Sequence, residues 1–274
     1  MALMSAPGQN VDFRQRARKV LKNPLSWLGI ALLLSLLLVL IVAWLVAWTP
    51  AWYAPLPAEN QHVMNLADRA ERTLLKLRNQ IGNPARKTVT WSITQNEINS
   101  LLAARYAIPP SVKSSAVFVG PFVRLTDGKI TLAIRDMQLP FHSVASVTVA
   151  IRTLPAASGK PAEAQVRLDA VHIGLVPVPR AKVLGALHQR LKEIAPVIRQ
   201  TLARYAGSRY AAAQTPQVLK YIQHAMKGRP FPLTLPAGGR ILQLTRIAIE
   251  ARHTSASGKM VPARIILVLK QIPA

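Results

Sequence analysis

The chain has 274 residues, of which 50% are hydrophobic and 5% are aromatic, a hydrophobic content that argues against wholesale disorder. It contains no cysteine, which excludes a disulfide scaffold, a thiolate-ligated metal or iron–sulfur site and a cysteine nucleophile. Its 35 Lys and Arg outnumber its 11 Asp and Glu, so the formal net charge is +24.

The N-terminal region predicts a membrane anchor preceded by a basic tail. The tail covers residues 1–24 and the anchor residues 25–49, whose central run LSWLGIALLLSLLLVLIVAWLVAW carries no charge. About 20 apolar residues are enough to cross a bilayer core. The alternative is a cleavable signal peptide, whose apolar region is shorter, about 7–15 residues. Trp52 and Tyr53 follow the run, as interfacial aromatic residues do.

The flanking charges predict the orientation and the compartment. Five Lys and Arg precede the apolar run, so the positive-inside rule places the N-terminus in the cytoplasm and residues 50–274 outside. The absence of cysteine and of any Asn-x-Ser/Thr sequon favours a bacterial envelope protein. The predicted location is therefore the bacterial inner (cytoplasmic) membrane, with an extracytoplasmic C-terminal domain.

Two patterns after the anchor predict a stalk and the first helices of this domain. Residues 50–57, PAWYAPLP, carry three prolines and predict a stiff, extended stalk. The domain then covers residues 58–274. It begins with apolar residues at helical spacing from Ala58 to Ile81. The sequence Thr94-Gln95-Asn96-Glu97 is a capping box, which predicts the start of a short helix.

The remainder alternates at a period of two and is interrupted by helical patterns. Thr126-Asp127-Gly128-Lys129 predicts a hairpin turn. Strand-like alternation covers residues 115–125, 130–135, 143–154, 165–176, 240–253 and 261–270. A helical stripe runs over residues 180–206 across Pro196, which predicts a kink, and a shorter helix covers about residues 216–226. Runs of strands without βαβ alternation predict an elongated α+β fold with antiparallel strands.

The sequence contains no recognisable catalytic or metal-binding motif. None of the six His lies within four residues of another, so a local His-pair metal site is not expected. The cap explains Glu97 and the turn explains Asp127. The chain is therefore predicted to be non-catalytic and to need no cofactor or metal. The alternative is an enzyme whose acid and base are distant in sequence.

The positive charge predicts anionic partners. Beyond residue 49 there are 30 Lys and Arg against 10 Asp and Glu. Arg135, Arg152 and Arg167 fall on the polar faces of predicted strands, so the charge is spread out, and nucleic acid is not the expected partner. Outside the cytoplasm the available polyanions are lipid headgroups and envelope polymers. The alternative is an ordinary solvated surface.

Two stretches carry a family resemblance. Residues 92–102, SITQNEINSLL, resemble the Ile-Thr-x-x-Glu-hydrophobic-Asn-x-Leu-Leu signature of YpmS-like bacterial envelope proteins and their LmeA-like relatives. Residues 171–179, VHIGLVPVP, are similar to the strand–Gly–x–x–Pro passage of that family. The layout matches over residues 60–270, except for the helical pair at residues 207–227. The resemblance implies a TULIP-like (tubular lipid-binding) half-barrel with an apolar groove for acyl chains, and it supplies no catalytic residues.

The resulting fold prediction is an α+β protein with a single N-terminal transmembrane helix. An elongated domain follows, with long antiparallel curved strands wrapped on the long amphipathic helix. The predicted function is a membrane-anchored extracytoplasmic lipid-binding or lipid-transfer protein of the bacterial envelope. The alternative is an envelope structural or assembly factor that binds a protein partner or an anionic polymer.

The candidate lipid groove consists of apolar residues on the predicted inner faces of the strands and the long helix. These residues are Val147, Val149, Ile151, Val166, Leu168, Leu187, Leu191, Ile194, Ile247, Ile249, Ile265 and Leu267. The alternative role for all of them is ordinary core packing, since alternation places a residue on a face without showing what lies opposite it.

Overall fold

The structure is a computed structural model that describes residues 24–83, 87–106, 118–136, 142–155, 162–206, 208–232, 234–237, 240–255 and 257–273. The helices are α1 (Pro24–Ala47), α2 (Gln61–Gly82), α3 (Gln95–Arg105), α4 (Arg180–Ala206) and α5 (Ser208–Lys227). The strands are β1 (Thr88–Thr94), β2 (Phe118–Thr126), β3 (Lys129–Asp136), β4 (Val144–Leu154), β5 (Glu163–Ile173), β6 (Val176–Pro177), β7 (Pro230–Pro232), β8 (Thr234–Ala237), β9 (Arg240–Glu250), β10 (His253–Thr254), β11 (Met260–Val261) and β12 (Arg264–Pro273). Contacts divide the chain into two compact units, residues 1–46 and 47–274.

The transmembrane part of the predicted fold class is contradicted. Crossing the hydrocarbon core of a bilayer takes about 20 consecutive apolar residues in a helix. In the part of the chain that the structure describes, no helix is long and apolar enough to do so. Within α1, the structure describes the side chains of residues 31–47.

The α+β, antiparallel part of the prediction is confirmed. Strands β1, β12, β9 and β8 pair in that order as a four-stranded sheet, and β2 to β6 pair in chain order as a second sheet, with β7 added to β5. All of these pairs are antiparallel. The predicted hairpin turn is confirmed as well, because β2 ends at Thr126, β3 begins at Lys129 and Gly128 has φ of 66°.

The long helix occupies a different place from the one predicted. Helix α4 has the predicted bounds and keeps Pro196 inside it. Its main contacts are with the neighbouring helix α5, and it also contacts β5. The described residues therefore form a helical hairpin beside one strand of the larger sheet, and the sheet does not wrap on the helix.

The core of the second unit lies between the two sheets. Val123, Leu125, Ile249 and Ala263 are its buried members. Six half-buried residues pack around them: Ile98, Leu102, Ile130, Ile151, Ile247 and Ile265. Hydrogen bonds also cross from sheet to sheet. The Thr153 hydroxyl accepts from the backbone N–H of Ile247 (2.9 Å) and donates to its carbonyl (3.1 Å).

Helix α2 covers the other end of the four-stranded sheet. Its Leu77 and Ile81 pack against a buried cluster of Val89, Leu244 and Leu269. The amide nitrogen of Gln271 on β12 donates to the carbonyls of Gln80 and Ile81 at the end of α2. The helix therefore contributes both apolar area and backbone carbonyls to its contact with the sheet.

Helix α3 connects the two sheets through polar side chains. The predicted capping box is confirmed, because the Glu97 carboxylate accepts from the backbone N–H of Thr94 (2.9 Å) and the Thr94 hydroxyl accepts from the Glu97 N–H (3.3 Å). The next turn carries Asn99, which is 3% exposed. Its amide nitrogen donates to the Val123 carbonyl (2.8 Å) and its oxygen accepts from the Val123 N–H (2.6 Å).

We predict that Asn99→Ala lowers the free energy of unfolding by about 2–4 kcal/mol, because it leaves a buried backbone N–H and a buried carbonyl of β2 without their partner. The measurement is urea unfolding followed by circular dichroism. Asn96→Ala is the matched control: Asn96 is exposed on the same helix, so its substitution is expected to change stability by less than about 0.5 kcal/mol. Equal destabilisation by the two substitutions would contradict this assignment.

Candidate ligand-binding pocket

The segment predicted as a stalk, residues 50–57, packs across the outer face of the six-stranded sheet. Tyr53 is 6% exposed and its hydroxyl donates to the Gly120 carbonyl (2.6 Å). Its ring meets the Phe122 ring edge-on at 6.1 Å. Burial raises the pKa of the Tyr53 phenol above its usual value, and the charge of Arg135 partly opposes that rise. Trp52 and Tyr53, interpreted from sequence as interfacial aromatics, therefore form a wall over the sheet.

This wall borders a pocket of the second unit. The pocket has a volume of about 510 Å³ and opens between the segment, the end of β2, the start of α3 and the loops around the β10–β11 hairpin. Its lining residues are Trp52, Gln95, Asn96, Phe122, Arg124, Leu125, Thr126, Ala251, Arg252, Met260, Pro262 and Ala263. Such a volume lies within the usual range for small-molecule sites, about 300–1,000 Å³.

The lining combines positive charge with an apolar wall. Arg124 and Arg252 are both exposed, and the described lining includes no carboxylate. The Arg124 guanidinium lies 5.6 Å from the centre of the Trp52 ring. Met260, at 50% exposure, adds a flexible apolar side chain. An anionic group attached to an apolar body fits this surface, because one guanidinium group can donate two parallel hydrogen bonds to the oxygens of a phosphate or a carboxylate.

Gln95 helps to hold the pocket in place. Its side-chain oxygen accepts from the backbone N–H of Leu125 (2.8 Å), so the amide group is oriented with its nitrogen as a donor. On the opposite side, the Asp127 carboxylate accepts from the Ala251 N–H (2.8 Å). These two contacts connect α3 and the loop before Arg252 to the β2–β3 hairpin, and they hold the two arginine-bearing segments together.

A second pocket of about 420 Å³ lies between α5 and β7. The Tyr221 ring stacks on Phe231 at 5.0 Å, and the His224 ring meets Phe231 edge-on at 6.3 Å. In its described lining, the one Lys or Arg is Lys220. With a single lysine beside a stacked aromatic pair, this pocket has less positive charge to offer an anion than the larger one.

The predicted groove residues lie on both sheets and on α4. Ile249 is buried between the sheets, and Ile151, Ile247 and Ile265 pack around it. Leu267 packs on the cluster below α2. Half-buried on the inner face of the six-stranded sheet or on α4 are Val147, Val149, Val166, Leu168 and Leu187. The side chains of Leu191 and Ile194 lie outside the described part of the structure. None of the ten groove residues with described side chains lines either of these two pockets.

Several of the described carboxylates form ion pairs. Asp169 contacts Lys129 at 2.7 Å, Glu250 contacts Arg264 at 2.8 Å, and Glu71 contacts Arg105 at 3.3 Å. Among the residues that the structure describes, no group of three or more His, Asp or Glu side chains is arranged to hold a metal ion. The described lining of the larger pocket therefore offers binding groups, and it contains neither a carboxylate nor a histidine that could act as a general base.

Comparison with known proteins finds no match: no family model, no curated protein and no solved structure is similar to the chain. The resemblance to YpmS-like and LmeA-like proteins stays a prediction.

The pocket residues were not found from the sequence because they come from four segments that are distant in the chain. Trp52, residues 95–96, residues 122–126 and residues 251–263 meet only after both sheets have formed. The one available signal was the pair of basic residues that flank strand ends, Arg124 and Arg252. Alternation alone does not distinguish these two from the many other exposed arginines.

We predict that Gly120→Ala lowers the free energy of unfolding, because the added carbon would overlap the segment that forms the wall of the pocket. A Cβ at Gly120 would lie 2.9 Å from the Tyr53 hydroxyl and 3.0 Å from Pro55, at φ of +63°. Gly258→Ala is the matched control, because its φ is +77° but nothing lies within 4 Å of the added carbon.

Both substitutions carry the cost of left-handed backbone, about 1–2 kcal/mol, and only Gly120→Ala adds steric overlap. We expect Gly120→Ala to cost at least about 1 kcal/mol more than the control, measured by urea unfolding, and to expose Trp52 to an aqueous quencher. An equal cost for the two variants would mean that the segment does not pack on the sheet in solution.

Proposed function

We propose that the protein is a non-catalytic lipid-binding protein whose pocket receives an anionic headgroup. The observation that carries this proposal is the joint presence of Arg124 and Arg252 in a pocket walled by Trp52 and Met260, with no carboxylate in its described lining. The proposal keeps the lipid class expected from sequence. It moves the contact from an acyl groove to the headgroup and the adjoining part of the lipid.

The packing of the interior supports this choice of contact. Four of the predicted groove residues lie in or against the buried cluster between the sheets: Ile151, Ile247, Ile249 and Ile265. Side chains that fill a core leave no room for an acyl chain without a cost in cavity formation or displaced packing. The pocket between β2 and the β10–β11 hairpin is already open, so a ligand enters it without disturbing the core.

The chemistry of the lining supports an amphiphile over a free inorganic anion. Two guanidinium groups offer paired N–H donors to phosphate oxygens. Trp52 and Met260 offer apolar contact next to those charges, as aromatic side chains do at membrane interfaces. A glycerophosphate headgroup with the first carbons of its acyl chains has both parts. An extracytoplasmic location stays a prediction.

We predict that Arg252→Gln weakens binding of a short-chain acidic lipid by at least about tenfold, because a charge-assisted hydrogen bond is worth about 1.5–3 kcal/mol. The probe is dihexanoyl phosphatidylglycerol below its micellar concentration, titrated into the full chain by calorimetry. Arg246→Gln is the matched control: Arg246 is exposed on β9, outside the pocket, and its loss removes the same charge.

Retained affinity in Arg246→Gln together with lost affinity in Arg252→Gln supports the pocket. Equal affinity of all three proteins for the lipid would overturn it. Inorganic phosphate is titrated in parallel, and an affinity equal to that of the lipid would show that the site takes small anions and that the apolar wall contributes nothing.

A further inference from the structure

A stripe of cations crosses the outer face of the six-stranded sheet. Residues that pair directly in an antiparallel sheet point to the same side, so the register shows which side chains share this face. Lys129 on β3 pairs with Ala150 on β4, and Ala150 pairs with Arg167 on β5. Arg152 is two residues from Ala150 and pairs with Gln165. Lys129, Arg152 and Arg167 are all exposed.

Side-chain contacts confirm that these groups face the same way. Lys129 and Arg167 both contact Asp169, at 2.7 Å and 3.4 Å. Arg152 and Arg167 line one shallow depression together with Gln165 and Ala150. The stripe therefore spans three neighbouring strands at a spacing of about 4.8 Å.

The stripe is extended at both ends. On β2, Arg124 pairs with Thr131, which is two residues from Lys129 and therefore on the same face. Beyond β5, Gly228 lies next to both the Arg167 side chain and the Arg180 guanidinium. One further strand, β2, and the start of α4 are thus included. We call Arg124, Lys129, Arg152, Arg167 and Arg180 the basic face.

Few carboxylates oppose these cations. Asp169 accepts from two of them, and the Lys129 hydrogen bond holds the pKa of its carboxyl below the usual value. Glu163 lies on the same side of β5, at the end of the strand. Five cations against these two acids leave the face positively charged at neutral pH.

We propose that the basic face docks on the surface of an anionic phospholipid bilayer. A sheet face that spreads its cations over several strands complements a plane of headgroups. The narrow backbone of a nucleic acid is better matched by a charged groove or a single helix. Arg124 belongs both to this face and to the pocket, so the headgroup site opens at the edge of the docking surface. The inference rests on the proposed function for the choice of lipid as the partner.

The test compares vesicles of phosphatidylcholine with vesicles that contain 30% phosphatidylglycerol, using the full chain in a flotation assay. The ratio of the two partition coefficients removes every contribution that does not depend on lipid charge. A basic residue near an anionic surface contributes about fivefold in partitioning. The double variant Arg152→Gln/Arg167→Gln is therefore expected to lower the ratio by at least about tenfold.

The matched control is Arg246→Gln/Lys270→Gln, which removes the same charge from exposed positions on the four-stranded sheet. It is expected to keep the ratio within about threefold of the unsubstituted protein. All four positions are exposed, and circular dichroism checks that both variants fold. Equal losses in the two double variants would reduce the effect to net charge and overturn the proposal.

Two further measurements separate this inference from the proposed function. The basic-face variant keeps both Arg124 and Arg252, so it is expected to bind monomeric dihexanoyl phosphatidylglycerol normally. Normal vesicle preference in this variant, with lipid binding still lost in Arg252→Gln, would overturn the docking face and leave the pocket intact. Stronger binding of the unsubstituted protein to single-stranded DNA than to anionic vesicles at 150 mM salt would also overturn the docking proposal, in favour of a nucleic-acid partner.

Discussion

The paired hydrogen bonds between the Asn99 carboxamide and the backbone of Val123 hold the arrangement of the two sheets. Helix α3 follows β1 of the four-stranded sheet directly, whereas Val123 lies in the edge strand of the six-stranded sheet. A buried carboxamide that satisfies one N–H and one carbonyl admits a single register between helix and strand. The neighbouring bond from Leu125 to Gln95 repeats the constraint one turn earlier. The core, the hairpin at residues 126–129 and the pocket all depend on that register.

The same contacts give a physical meaning to the stretch that resembles an envelope-protein signature. In SITQNEINSLL, Thr94 and Glu97 cap the helix, while Gln95 and Asn99 bind the backbone of β2. These four side chains stabilise the fold, and of the four only Gln95 also lines the pocket. A short motif of this kind follows from the need to join a helix to an edge strand. Its presence therefore says more about architecture than about a ligand.

Local patterns predicted the elements well, because each depends on neighbours in the chain. The capping box, the Asp127-Gly128 turn and the bounds of α4 were all visible in the sequence and are confirmed. The position of α4 beside α5 was not predicted, because an amphipathic pattern shows that one face of a helix is buried but does not identify the element that buries it. The same ambiguity applied to Ile247 and Ile265, which fit a groove or a core equally well by period. The pocket is built from four segments that are distant in the chain, and no local pattern predicts that they come together.

The alternation of the strands explains why positive charge collects on one side of the larger sheet. Alternation sends every second residue of β3, β4 and β5 outward. The outward positions include Lys129, Arg152 and Arg167, and most of the inward positions are apolar. Their mutual repulsion in water is modest because the separation and the solvent screen it. Next to an anionic plane, the attraction of each of these charges adds to that of the others. A fold of this kind therefore concentrates positive charge without a basic motif in the sequence.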